Sequence, residues 1–266
     1  MFTKQQPLNF APRFFATQCF AICRVVLHFG ASCRPALLRK PQGRSQGLPN
    51  NLNNIMSLRK FNLTLEGMRP LLCGNPCTID PIGKPAQAKK WYTNQKKKQD
   101  IHHHALRKLD WLFSGYWSIE GEYQYGPTLN GDADFQGFSD PCLPAAHLQR
   151  CIRDGAVKWK LGKDTKRSIM VESDAIIKYN GPTDAREMYE DSRFVSSVHT
   201  NRGIIAVRLR IPEWQVNYSL FLNDEIMDPD TLEKILHNAG MCEGLGTWRP
   251  DNGRFRLIEL TEVEID

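Results

Sequence analysis

From residue 61 the chain alternates. Phe61, Leu63 and Leu65 are apolar, while Asn62, Thr64 and Glu66 are polar, the period of a strand with one buried face. A loop over 74–83 leads to two helical stretches, 84–95 and 100–113, the second carrying Ile101, Ala105, Leu109 and Leu112 on one face. Residues 115–142, rich in Gly, Asp and aromatics, predict a short hairpin plus a loop. Pro144 then opens a helix, proline being tolerated in the first turn, with Ala145, Leu148, Ile152 and Ala156 as its apolar stripe. Residues 168–179 read as one strand. The two alternating runs of 204–222 read as a hairpin turning at Ile211-Pro212-Glu213. Asp228-Pro229 starts a helix striped by Leu232, Ile235, Leu236 and Ala239, and Gly240 is the expected left-handed residue closing it. The last strand, 255–260, loses its alternation at Ile258, which predicts a bulge.

With 74–142 set aside as a helical insertion, the order is strand, helix, strand, strand pair, helix, strand. That order predicts an α+β, ferredoxin-like fold: an antiparallel sheet with helices on one face. It occupies 56–266, a length sufficient for a real core. Residues 1–55 read as a disordered basic leader. An organelle transit peptide, a genuine basic tail and upstream sequence preceding a start at Met56 all fit its composition. A secretory signal fits less well, because Arg24 interrupts the apolar stretch 14–27.

Charge changes this picture little. The net charge is +6, but residues 1–65 hold nine Lys or Arg and no Asp or Glu, so 66–266 are mildly acidic. Affinity for a polyanion must therefore come from local clusters. The eight cysteines form no CxxC pair, and reduced thiols in a cytoplasmic protein are expected. No apolar run approaches a membrane span, roughly 18 residues. His102, His103 and His104 are consecutive and cannot converge on one metal ion from a helix.

Three segments stand out chemically. In AGMCEGLGTWRPDNGRFRLIEL (239–260), Gly244 and Gly246 would let backbone amides point at an anion. Arg249 and Arg254 would fork onto phosphates, and Trp248 would stack on a base. In 140–167, Arg150 and Arg153 face outward from the predicted helix, and Lys158 and Lys160 continue the basic run. In KPAQAKKWYTNQKKKQ (84–99), Lys89, Lys90 and Trp91 interleave charge with an aromatic ring, the composition that tracks a single strand. Each segment also reads as a solvated face or a structural connection. A nuclease would need His147 or the loop acids Asp132, Asp134 and Asp140 with Mg²⁺.

The element CLPAAHLQRCIRDGA resembles the I-P-G-S-S-L-K-G-x-x-R entry of the RAMP superfamily, the ferredoxin-like subunits of CRISPR effector complexes. The stretch 240–253 resembles that superfamily's glycine-rich loop. The ending A-G-x-x-x-G-x-G-x-W-R-P, here 239–250, is similar to that of bacteriophage proteins of this group. The resemblance spans roughly 58–262. It implies an RRM-like fold gripping single-stranded RNA or DNA by its backbone, often as copies lined up along the strand. It places Arg153 at the family arginine and Gly244 and Gly246 in the loop. Ala145-Ala146-His147 departs from the small Gly-Ser-Ser turn. The resulting expectation is a non-catalytic, cofactor-free strand-binding protein of phage type in the host cytoplasm. A metal-dependent nuclease and a structural or interaction protein are the rivals.

Overall fold

Phe61, Leu63 and Leu65 place their side chains on one face of β1 (Leu58–Gly67), and the strand pairs in register with the matching alternation of β8 (Trp214–Asn223). Phe61 lies opposite Leu220, Leu63 opposite Tyr218 and Leu65 opposite Val216, all six buried. Cross-strand apolar pairs of this kind are the unit of sheet stabilisation. This seam is the centre of the computed structural model, which describes residues 58–118, 133, 138, 140–199 and 205–265. The basic leader 1–55 and most of the 115–142 segment, including Asp132 and Asp134, lie outside the described residues.

The remaining elements follow in chain order: β2 (Leu71–Leu72), α1 (Lys84–Thr93), α2 (Asp100–Ser114), β3 (Cys142–Leu143), α3 (Ala145–Gly155), α4 (Gly162–Ser168), β4 (Ile169–Val171), β5 (Ala175–Tyr179), α5 (Ala185–Glu190), β6 (Val195–His199), β7 (Ile205–Ile211), α6 (Pro229–Asn238) and β9 (Phe255–Val263). The architecture is α+β. The main sheet is antiparallel, with order β3-β5-β8-β1-β9 and β4 also paired to β8.

The two central helices are built as their stripes predict. Leu148 and Ile152 of α3 and Leu232, Ile235 and Leu236 of α6 are fully buried. Asp228 caps α6 by accepting the Thr231 amide at 2.8 Å. At Gly155 the backbones come so close that an added Cβ would sit 2.6 Å from the Ala239 Cβ. The bulge also falls where the alternation slips: Leu65 pairs with Leu257 and Thr64 with Glu259, leaving Ile258 unpaired between them.

Three sequence expectations fail. The hairpin of 204–222 does not form. The chain turns at Pro212, but β7 pairs with β2 and β6 in a separate three-stranded sheet while β8 stays in the main one. Alternation specifies buried faces, not partners. This second sheet is tied to α2, where Ser114 Oγ accepts the Leu209 amide at 2.7 Å and the Trp111 indole donates to Phe194 O at 3.0 Å. The strand expected over 168–179 is two, β4 and β5, separated by an exposed Asp174. Gly240 is not left-handed. α6 continues into a π turn, Ala239–Glu243, and Gly244 takes the positive φ of 75° instead. Gly240 is required by contact, since a Cβ there would strike Phe255 O.

Candidate nucleic-acid interface

The glycine-rich loop is stapled to residues 68–72. Thr247 N donates to Leu72 O at 2.8 Å, Gly253 N to Pro70 O at 2.9 Å, and Arg254 O accepts from Met68 N at 2.7 Å. Within the loop Leu245 N donates to Gly253 O at 2.8 Å and Gly244 N to Ala239 O at 2.9 Å, with Leu245 buried as an anchor. The Gly244 amide therefore does not point at an anion as expected. The Gly244 amide is consumed internally, and Gly246 is needed because a Cβ would lie 2.5 Å from Leu72 O. Both glycines let two backbones come close.

What the rigid loop presents is side chains. Trp248, at φ 55°, is 43% exposed. Arg254 is half-buried, its Nε donating to Pro250 O at 3.0 Å. Arg249 is half-buried: one terminal nitrogen donates to Gly244 O at 3.3 Å, and the other lies 3.8 Å from Asp154 Oδ2. Asp154 also takes Arg153 at 2.9 Å and Arg150 at 3.5 Å, so three guanidinium groups share one carboxylate. α3 supplies two of them from its outward face. The crossing at Gly155 brings the third within reach, and Cys151 adds a thiol bond to Gly244 O at 3.2 Å.

Beside this cluster sits His147. Its Nε2 meets the Tyr116 hydroxyl at 3.2 Å, and its Nδ1 is buried without a partner among the described residues. Burial first, then the Arg249 and Arg150 guanidiniums, hold its pKa below the ordinary value, against the opposite pull of Asp174. The Tyr116 hydroxyl also reaches Gly74 O at 3.4 Å. Next to it Arg208 donates to Cys73 O at 3.4 Å, with its own Nε buried and unpartnered among the described residues. Arg208, Tyr116, His147 and Arg249 thus lie in succession along a half-buried row, the basic furrow, with the Tyr116–His147 contact at its middle and an arginine at each end. Tyr116 and Arg208 were missed because no local pattern marks them: Arg208 alternates like any strand residue and meets Cys73 from 135 positions away.

A pH dependence follows. Because the folded pKa of His147 lies below its unfolded value near 6.5, the unfolded chain binds the proton more readily. Its contribution to stability is therefore complete above about that value and is lost as pH falls towards the lower folded pKa. His147→Gln is expected to flatten that limb of a plot of urea midpoint against pH.

Other candidates stand apart. Lys89 is salt-bridged to Asp110 of α2, and Lys90 and Trp91 are exposed on α1, Trp91 lying edge-on to Tyr92 at 4.7 Å. Lys158 and Lys160 are exposed in the turn after α3, Lys158 over the Trp159 ring at 5.2 Å. Lys89 nonetheless lines a hollow of about 170 Å³ together with Arg208, whereas Lys158 and Lys160 make no contact with the furrow among the described residues. The open face of the main sheet carries a hollow of about 400 Å³ lined by Asn62, Thr64, Asn217, Ser219 and Thr261 with Glu259. The nearby Lys60 is bonded to Glu172 at 3.0 Å.

Burial pushes the Cys73 and Cys151 thiols up to about 12 and Cys142 to about 11, so none is a nucleophile at neutral pH. Among the described residues no group of His, Cys, Asp and Glu is placed to hold a metal ion, and no helix is long and apolar enough to cross a membrane.

Comparisons with known proteins add a likeness in structure. No protein-family model matches the chain, and no curated protein matches it. Among solved structures it is similar to a chain of one described as "Cryo-EM structure of the Type III-B Cmr-beta bound to cognate target RNA", with a TM-score of 0.41 and 15% identity. The match covers 78% of this chain and 61% of that one.

Proposed function

We propose that this protein binds single-stranded RNA or DNA by its phosphate backbone, along the furrow from Arg208 to Arg150. The observation that carries the reading is the three-to-one ratio of guanidinium groups to carboxylate around Asp154. Surface ion pairs usually balance; here Arg150 and Arg153 are exposed on α3, and Arg249 is held half-buried by a stapled loop, where a charge interaction is screened less. Trp248 at the rim offers a face for a base. Arginine forks suit phosphate oxygens, and a strand supplies the negative charge that Asp154 leaves unmatched. The site thus centres on Arg249, Arg150, Arg153, Arg208 and Trp248, with Arg254 beside it.

The core supports a ferredoxin-like reading of RAMP type. Taking β1, the β4–β5 pair, β8 and β9 as its four strands, the sheet runs fourth, first, third, second, with α3 and α6 as the crossovers. On this reading 56–266 is the domain, the leader is dispensable, and copies line up along a strand in the cytoplasm of a phage-infected host.

The deciding experiment is retention of labelled single-stranded RNA, single-stranded DNA and duplex by the full chain across a salt series. Retention of single strands that weakens steeply with salt is expected, the slope reporting the phosphates neutralised. No retention at low salt would leave the structural-protein alternative. One observation favours nuclease activity as a second reading: His147, held neutral by burial and two arginines, meets the Tyr116 hydroxyl inside the furrow, an imidazole available as a base. Incubating the same RNA with and without Mg²⁺ tests it, since cleavage lost in His147→Ala would assign the site to catalysis.

A further inference from the structure

Tyr116 belongs to two places. Its hydroxyl meets His147 in the basic furrow, with ring centroids 5.1 Å apart, and the same residue lines a pocket of about 210 Å³. Trp117, Phe138 and Pro144 give this pocket flat apolar walls. The walls are fixed. The Trp117 indole donates to Leu112 O at 2.7 Å, and its ring packs edge-on against Phe138 at 6.0 Å. Two polar side chains line it as well. Asn75 is engaged with Gly115 O at 3.0 Å and the Cys77 amide at 3.0 Å. Asp174 gives one oxygen to the Ala145 amide at 2.8 Å and is exposed.

Flat walls, one carboxylate and a cationic furrow one ring away match the parts of a nucleotide. We infer that this pocket takes a single unstacked base of the bound strand, guanine by preference, with the adjoining phosphate on Arg249 and Arg150. The inference rests on the strand-binding reading above. Aromatic walls hold a base of any kind, so the preference must come from the polar lining. Asp174 is an acceptor only. Guanine presents two adjacent N–H donors on its pairing edge, whereas adenine, cytosine and uracil each present one donor beside acceptors that a carboxylate repels.

The test uses the full chain with the four ribonucleoside monophosphates, followed by tryptophan fluorescence, and in parallel with a labelled single strand. Guanosine monophosphate is expected to bind at least about 5-fold tighter than the others, the smallest discrimination usual for a two-point contact to a base edge. Asp174→Asn, which keeps an oxygen for the Ala145 amide, is expected to erase the preference among mononucleotides and to bring retention of a guanine-containing strand down to that of a guanine-free one, whose retention it leaves within about twofold. Cys142→Phe, which fills the pocket, is expected to abolish mononucleotide binding and spare retention of an abasic strand. Equal binding of all four, binding of none, or an unchanged preference in Asp174→Asn overturns the base pocket. If strand retention persists in that case, the backbone reading survives alone. Guanosine monophosphate binding without strand retention would overturn the inference as stated and leave a site for free nucleotides.

Discussion

Replacing Arg249 by alanine is expected to weaken single-strand binding about 30-fold and to lower the salt slope by about one. A fully exposed arginine would yield less. Arg249 is held half-buried by its bond to Gly244 O, so its fork arrives pre-oriented, and the charge-assisted bonds it makes to a phosphate are worth about 2 kcal/mol. Arg249→Lys separates charge from geometry: the slope stays and much of the affinity goes, because an ammonium cannot fork. Arg153→Ala is expected to cost less, since two of that side chain's nitrogens are committed to Asp154 at 2.9 and 3.2 Å. Lys90→Ala, which removes a charge exposed on α1, is the control expected to leave affinity unchanged. Filter retention across a salt series reads all four. Equal retention by Arg249→Ala and the parent would move the interface elsewhere.

The second large effect concerns stability. Gly253→Ala is expected to cost about 3 kcal/mol and roughly 10 °C in melting temperature. A non-glycine residue held at a φ of 74° costs about 1–2 kcal/mol by itself. The added Cβ would also drive into Leu245 O, part of the close backbone contact through which Leu245 anchors the loop. Relief would require unstapling the segment, so strand binding should fall with the melting point. Gly83, exposed to no such contact and at an ordinary φ of −63°, is the matched control: Gly83→Ala should shift stability by less than about 1 kcal/mol. A Gly253→Ala protein as stable as Gly83→Ala would mean the loop is not anchored as described.

Much of the fold was legible because its elements are amphipathic at their own periods. The stripe of α3 and the alternation of β1 place the same residues in the core that periodicity does. The slip at Ile258 identified a bulge from a single misplaced apolar residue. The failures share one cause. Leu209 and Ile211 alternate as well as Trp214 and Val216 do, so nothing local separates a hairpin from two strands that part at Pro212 and enter different sheets. The glycines of 240–253 were visible as a signal, but not its meaning. A glycine that lets a ligand approach and one that lets the neighbouring backbone approach leave the same mark in a sequence.

The candidate site divides in the same way. Arg150, Arg153, Trp248 and Arg249 were legible as charge and aromatic content near glycines. Arg208 and Tyr116 were not, because they reach the furrow only through the second sheet and the end of α2. Lys89 looked as available as any other lysine until Asp110 was placed beside it.

By itself, then, the sequence determined where helices and strands lie, which of their faces are apolar and where basic side chains collect, since all of these depend on residues within a turn or two. Only the tertiary structure decided which strands pair, that the Thr247 and Gly253 amides are consumed against residues 70–72, and that one carboxylate is left facing three guanidinium groups. Those outcomes depend on distances between atoms far apart in the chain, and those distances are set by packing the core.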